Sequence, residues 1–356
     1  MNDNFILNGS EYIAGLIEAA VNDGSRTATV SGRYIIDSAV RIPSDFTLVL
    51  ENCYLRLADG CYSNVFVNES HETDIGRTTE GTDRNITIIG KGEAILDGGE
   101  YNGLSEKNWR QEGMPPIWKN NLILFTNVDG FSISGISCRN QRWWALNFIF
   151  CCNGYLGNID FCASDIGIDP DGNVYHGLKK AKYDEVLVKN ADGIDIRVGC
   201  HDIVIENITG FTEDDTVALT ALCGSIGKAF SVDGASMDIC NVTIRNIRAA
   251  SYCTLVRLLN QGDVKLHDVI VDGVQDMSAE SPYMDKGKFA VRVGDHLRMY
   301  GTRHSTKDET YNITIKNVYG RGDAVLSLAG DMDNVVIDGL TGEDGCPLML
   351  DFRPKE

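Results

Sequence analysis

A short segment recurs along this chain: a polar turn residue, two or three β-branched residues, then Asn or Gly, then an aliphatic residue. It reads Asn85-Ile-Thr-Ile-Ile, Phe131-Ser-Ile-Ser-Gly-Ile, Asp202-Ile-Val-Ile-Glu-Asn-Ile, Asn241-Val-Thr-Ile-Arg-Asn-Ile, Asn312-Ile-Thr-Ile-Lys-Asn-Val and Asn334-Val-Val-Ile-Asp-Gly-Leu. Each copy is too short to bury a face of its own, so copies must stack and share a core. The Asn and Gly residues suit left-handed backbone positions at the corners between strands. The pattern predicts an all-β solenoid of stacked parallel strands. Its uneven spacing predicts loops of different lengths leaving the coils.

The strands are preceded by one stretch of helical periodicity. Ile13, Leu16, Ile17, Ala20 and Val21 share one face over residues 10–23, Ser10 is placed to cap the start, and Gly24 ends it. An open solenoid end exposes unpaired strand and core, so this helix is expected to act as a cap. Residues 103–118, 166–184 and 222–238 read as loop insertions. None has the composition of an interdomain linker, so residues 1–356 are expected to form a single domain. Asn85, Asn207, Asn241 and Asn312 begin Asn-x-Thr triplets, but their places at strand ends mark them as structural turns.

In a solenoid, residues one coil apart along the chain lie ~4.8 Å apart in space. Asn190-Ala-Asp192-Gly-Ile-Asp195 precedes Glu213-Asp214-Asp215 by 22 to 23 residues, about one coil. The repeat therefore brings Asp192 beside Asp214 and Asp215, with Asp195 either a fourth acid in the cleft or a solvated turn residue. Paired carboxylates in one site are what glycosidic hydrolysis requires: one protonated, one ionised. Crowded like charges raise the pKa of one member and keep it protonated near neutrality. Asp169 and Asp171 mimic the first motif, but the spacing favours Asp192.

The net charge of −19 and the absence of a Lys/Arg run argue against a nucleic-acid partner. No run of ~20 apolar residues is present to span a membrane. The eleven Cys show no metal-ligand spacing, and Cys53, Cys138, Cys151, Cys152 and Cys162 sit in apolar contexts. They read as buried reduced thiols. With no basic, apolar leader at the start, the expectation is a cytoplasmic protein needing neither metal nor cofactor.

With these segments in view, the chain resembles the polygalacturonase-like family 28 glycoside hydrolases of the pectin-lyase-like superfamily. The resemblance runs through the N-terminal helix, Gly32-Arg-Tyr-Ile-Ile-Asp37, Ile42-Pro-Ser-Asp-Phe-Thr-Leu-Val-Leu50, Gly90-Lys-Gly-Glu-Ala-Ile-Leu-Asp-Gly98, Asn140-Gln-Arg-Trp-Trp144 and the acid motifs. It implies a single-stranded right-handed parallel β-helix that cleaves galacturonic or related linkages with inversion. It further implies Asp214 as general acid, with Asp192 and Asp215 activating water. The family's Gly-His-Gly motif is absent, and Ser251-Tyr252-Cys253-Thr254 occupies that turn. Its Arg-x-Lys motif is reduced to Arg257 or Arg292, each without the lysine.

Arg257 and Arg292 sit on apolar strands, so each needs a partner: a substrate group in the carboxylate groove or a structural Asp. Trp143 and Trp144 are adjacent, so one is expected in the core and the other is free to stack on a sugar. Trp109 and Trp118, in a loop, are expected to be exposed. His176 and Lys180 lie in the loop before the acid motif and are candidate substrate contacts. His296, Arg303 and His304 could line the far end of the groove, and His71 and His201 read as ordinary turn residues. The reading is an inverting glycoside hydrolase acting from the end of a pectin-derived or related oligosaccharide. The alternatives are a calcium-dependent polysaccharide lyase on the same solenoid, with the four acids holding Ca²⁺ and an arginine as base, and a non-catalytic carbohydrate-binding member.

Overall fold

In the computed structural model, residues 5–99, 112–113, 115–141, 143–163, 167–168, 174–175, 191–282 and 284–354 are described. Each turn of the chain lays down one long strand and then one short one. The long strands run from Thr27–Ile36 to Asp333–Gly342, and each hydrogen-bonds in parallel to the long strand of the next coil. The short strands run from Val40–Ile42 to Met349–Phe352 and pair in the same sequential order. The result is a right-handed parallel β-helix wound from a single strand path.

Two ladders of left-handed residues make the corners. Asn153, Asp202, Asn241, Asp268, Asn312 and Asn334 open successive long strands, all with φ between 47° and 55°. Inside the same strands, Asn158, Asn207, Asn246, Gly273, Asn317 and Gly339 repeat the conformation and bend each strand. Asn tolerates this region because its amide bonds locally. Here the amides bond along the ladder, Asn246 donating to Asn207 at 2.6 Å and Asn312 to Asp268 at 2.9 Å. Asn207, Asn241 and Asn312 of the Asn-x-Thr triplets are ladder residues, and Asn85, with φ of 51°, holds the place of Asn153 two coils earlier.

Inward positions stack like with like. Ile133, Leu156, Ile205, Ile244, Val271 and Ile315 occupy one register column and are fully buried. Full burial of each such side chain contributes ~1.5–3 kcal/mol. The N-terminal helix, Gly9–Asn22, buries Ile13, Ile17 and Ala20 against the first coil. Ser10 is not its cap. It lies one residue inside the helix, where its hydroxyl donates to the Ser38 carbonyl at 2.8 Å and accepts from the Asp37 and Ser38 N–H groups. Asn8, in the left-handed region, takes the cap position.

All eleven cysteines are free thiols, but Cys152 and Cys162 are only half-buried, because both face out of the coil. The 222–238 excursion is not all loop: it contains a short helix, Ser225–Phe230. His71 does lie in a turn, its N–H donating to the Asn68 carbonyl at 3.1 Å, but that helix brings Phe230 against it at 5.2 Å, so it is buried, and burial lowers its pKa to about 4. Among the described residues, no helix is long and apolar enough to cross a membrane.

Candidate active site

The short sheet positions the acids. Asp192 opens the strand Asp192–Arg197, which pairs with Trp144–Ile149 on one side and Val217–Ala221 on the other. The Asp192 N–H donates to the Trp143 carbonyl at 2.8 Å and the Gly193 N–H to the Asp215 carbonyl at 3.0 Å. Asp192 and Asp215 therefore hold equivalent places on adjacent coils. The bend carrying Asp214 and Asp215 is clamped from within. The Asp214 carbonyl accepts from the hydroxyls of Thr212, at 2.9 Å, and Ser251.

Asp192, Asp195 and Asp215 are buried, and Asp214 is half-buried. Burial pushes the Asp192 carboxyl well above the usual range, and Asp195, Asp214 and Asp215 push it further. Asp195 is raised to about 6, burial outweighing the Arg197 guanidinium 3.0 Å away. Asp215 is raised to about 7, burial and Asp214 opposing the pull of Arg257. One oxygen on each of Asp192, Asp195 and Asp215 is buried without a hydrogen-bond partner. Protons shared between Asp192 and Asp195, and the hydroxyls of Thr220 and Thr254 beside Asp195 and Asp215, are what the site offers these carboxyls.

Arg257 and Arg292 lie in register on adjacent coils, in the column that runs Asn147, Asp195, Ala218, Arg257, Arg292. Neither stands open in the groove as a free substrate contact. Both are buried, Arg257 donating to Asp295 at 2.9 Å and standing 3.7 Å from Asp215, and Arg292 standing 2.8 Å from Asp295. The cost of burying a guanidinium is met by these carboxylates. The pair thus acts from beneath the acids, setting the charge on Asp215.

Trp143 and Trp144 are both buried, so Trp143 is not an open sugar platform. The Trp144 ring lies 3.7 Å under the Arg197 guanidinium. Trp118 is half-buried, edge-on to Phe230 at 5.6 Å. His296 stacks on Phe352 at 4.5 Å, and Arg303 is held by Glu309. His176, Lys180, Trp109, Asp169 and Asp171 lie outside the described residues.

Several residues of the site were not evident from sequence. Asp295 follows Arg292 by three residues, an Arg-Val-Gly-Asp spacing that could have suggested it. Tyr300 is 56% exposed, and its phenol is near enough to Arg257, Asp214, Asp215 and Asp192 to feel their charges. Cys253, on the Ser251–Thr254 turn, is beside Asp214 and Asp215. Donor atoms of Asp214, Asp215 and Cys253 all lie within 4.8 Å of one another, so this trio could hold a soft divalent cation. Burial first, and then Asp214 and Asp215, keep that thiol protonated.

No family model and no curated protein matches the sequence. Solved structures do share the fold. An exopolygalacturonase from Thermotoga maritima matches with a TM-score of 0.56 at 12% identity, over 92% of this chain and 82% of that one. An iota-carrageenase complexed to iota-carrageenan fragments matches with a TM-score of 0.55 at 12% identity, over 100% and 89%. A tailspike protein mutant of E. coli bacteriophage HK620, in complex with a pentasaccharide, gives 0.55 at 13% identity, over 98% and 62%. The protein thus shares the parallel β-helix fold of these structures.

Proposed function

We propose that this protein is an inverting glycoside hydrolase that acts from the end of a pectin-derived or related oligosaccharide. The observation that carries the reading is the register of Asp192 against Asp215. It gathers three carboxylates where one oxygen on each of Asp192 and Asp215 is buried and unbonded. A cluster this crowded cannot hold three negative charges at neutral pH, so it retains at least one proton. Arg257 favours the ionised form of Asp215 and suits it to be the base that takes a proton from water. Asp192 keeps its proton and shares a hydrogen bond with Asp195, which orients the water from the adjoining coil. Asp214 is the half-exposed member; as general acid it enters the reaction with a proton of its own, gives it to the glycosidic oxygen as that bond breaks, and is left ionised while Asp215 takes up the proton of the attacking water. The names of the structural neighbours, an exopolygalacturonase and a carrageenase, agree with oligosaccharide hydrolysis. The lengths of the 103–118 and 166–184 insertions favour attack at a chain end.

The test is a panel of pectic and non-pectic oligosaccharides, with proton NMR following the anomeric form of the first product. Asp192→Asn, Asp214→Asn and Asp215→Asn should each lower kcat by at least ~100-fold, the scale of a general acid or base. Full activity in any of the three on a cleaved substrate, or a retained anomeric configuration, refutes the assignment. The lyase reading is less well supported. Ca²⁺ seeks six to eight oxygen ligands, whereas Asp195 and Asp215 are engaged by Arg197 and Arg257 and the trio that converges on one point includes a thiol.

A further inference from the structure

Two cysteines meet across a corner of the coil. Cys151 follows the short strand Trp144–Ile149, and Cys200 follows the next one, Asp192–Arg197. The His201 N–H donates to the Cys151 carbonyl at 3.2 Å, and Cys152 and His201 then pair in register, so Cys151 and Cys200 hold equivalent places on adjacent coils. Cys200 Sγ accepts from the Cys151 N–H at 3.3 Å, and the two thiols are within hydrogen-bonding reach of each other. Both side chains are fully buried. Neither takes part in the proposed chemistry.

Adjacent parallel coils lie ~4.8 Å apart, inside the ~4.4–6.8 Å between Cα atoms that a disulfide spans. Cys152 and Cys240 share an outward column but stand two coils apart, with His201 between them. That separation, ~9.6 Å, exceeds the limit of ~7 Å for a bridge. The pair that can close at this corner is therefore Cys151 with Cys200. The bond would tie the turn beyond Arg197, whose carbonyl accepts from the Cys200 N–H at 3.2 Å, to the preceding coil. It would enclose residues 152–199, and with them Asp192 and Asp195.

Burial decides when the bond can form. Thiol–disulfide exchange needs a thiolate in contact with the sulfur it attacks. Burial pushes the Cys151 thiol far above its ordinary pKa, and both side chains are sealed from solvent once the coils are stacked. Exchange is thus confined to the chain before this corner closes. There, one cysteine thiolate attacks a small-molecule disulfide such as glutathione disulfide, releases one glutathione thiolate and forms a mixed disulfide. The second cysteine thiolate attacks the protein sulfur of that bond and releases the second glutathione. The two protons given up by the cysteines end on the two glutathiones, so the protein loses two electrons and the oxidant gains them. The same burial then shields the finished bond from reductants.

We propose that Cys151 and Cys200 form a redox site set during folding: oxidised when the chain folds in the presence of a disulfide oxidant, reduced when it does not, and fixed in either state once native. The proposal goes beyond the hydrolase reading and does not depend on it.

To test it, the full-length chain is refolded from urea, once with a mixture of oxidised and reduced glutathione and once with dithiothreitol. Free thiols are alkylated after denaturation and the peptides mapped. Refolding with glutathione should join Cys151 to Cys200, and refolding with dithiothreitol should leave both free. The oxidised protein should melt about 5 °C higher, since the loop it closes is long. Native reduced protein given the same glutathione mixture should form no such bond. Native oxidised protein should keep it in dithiothreitol until it is unfolded. Cys200→Ser refolded with glutathione should form no bond within the chain. Free Cys151 and Cys200 after oxidative refolding, or a bridge between any other pair, overturns the site. Rapid closure or rapid reduction in the native protein overturns its being set during folding. For a chain that does not refold, synthesis of the full chain in an oxidising and in a reducing compartment gives the same comparison by the same peptide map.

Discussion

Gly193 donates its backbone N–H to the carbonyl of Asp215 across the gap between two coils, at 3.0 Å. With the Ile194 N–H on the Thr216 carbonyl and the strand pairing that follows, that bond sets the register in which Asp192 faces Asp215. It forms because the residue has no side chain. A Cβ at this position would lie 2.4 Å from the Thr216 carbonyl oxygen and 3.0 Å from the Phe161 ring. The first neighbour is backbone within a sheet and cannot swing aside. Gly193→Ala should therefore cost ~1–3 kcal/mol of stability through overpacking. Activity should fall further than stability, because the two coils part where the acids meet. Chemical denaturation alongside kcat/KM on a cleaved oligosaccharide measures both. Equal activity with a shifted melting curve would uncouple this register from function.

The guanidinium of Arg257 stands between two carboxylates, 3.7 Å from Asp215 and 2.9 Å from Asp295. Its positive charge lowers the Asp215 pKa against burial, and Asp295 tempers that effect. Arg257→Gln should raise the Asp215 pKa above about 7 and move the acidic limb of the rate profile to higher pH. Asp295→Asn leaves two cations with one less counter-charge, so the same limb should move to lower pH. The opposite signs are the diagnostic, since a general loss of fold would depress both profiles without shifting them. A pH series of kcat/KM from pH 4 to 9 on both variants reads this directly.

Acids with raised pKa values also tie stability to pH. Asp195 and Asp215 have folded values of about 6 and about 7, above the ordinary carboxylate value. In the unfolded chain they ionise near pH 4. Below that pH both states are protonated and the cluster costs nothing in charge. As pH rises from ~4 to ~7, the unfolded chain releases protons that the folded one keeps, and stability falls. Above the folded values the loss is complete, on the order of a few kcal/mol for the coupled set. Asp215→Asn removes one titrating group, so its stability curve over this window should be flatter than the wild type's. Urea midpoints at pH 4.5, 6 and 8 decide it, and parallel curves would contradict the raised values.

How far the sequence could be read follows from where the coils are uninterrupted. Asp192 and Asp215 are separated by a coil with no excursion, so counting 23 residues found a true spatial neighbour. Arg257 and Arg292 were visible as charges stranded in apolar strands. Their partner Asp295 was not, because it sits past the strand end, in the turn after Gly294, where an acid has no periodic pattern to violate. Asn121 and Asn147 gave no signal because a buried amide reads in the sequence like any surface polar residue. The turn at His71 was legible but its burial was not, because the helix that packs on it, Ser225–Phe230, comes from a coil far along the chain. Strand periodicity encodes the coil, whereas the excursions that cover it leave no comparable signature.

The corner ladder offers a test of the fold apart from the site. Asn246 has φ of 53°, and its amide donates to the Asn207 oxygen at 2.6 Å. Alanine there would keep a Cβ in the left-handed region, at ~1–2 kcal/mol, and would lose the amide bond, worth ~1 kcal/mol. Glycine would lose the bond but relieve the strain, and the ladder already uses glycine at Gly273 and Gly339. Asn246→Ala should thus destabilise the protein by ~2–3 kcal/mol, and Asn246→Gly by about half as much, with neither changing kcat. Equilibrium unfolding of the two variants ranks them. If alanine proved the milder replacement, side-chain bonding along the ladder, and not backbone conformation, would be what selects asparagine at these corners.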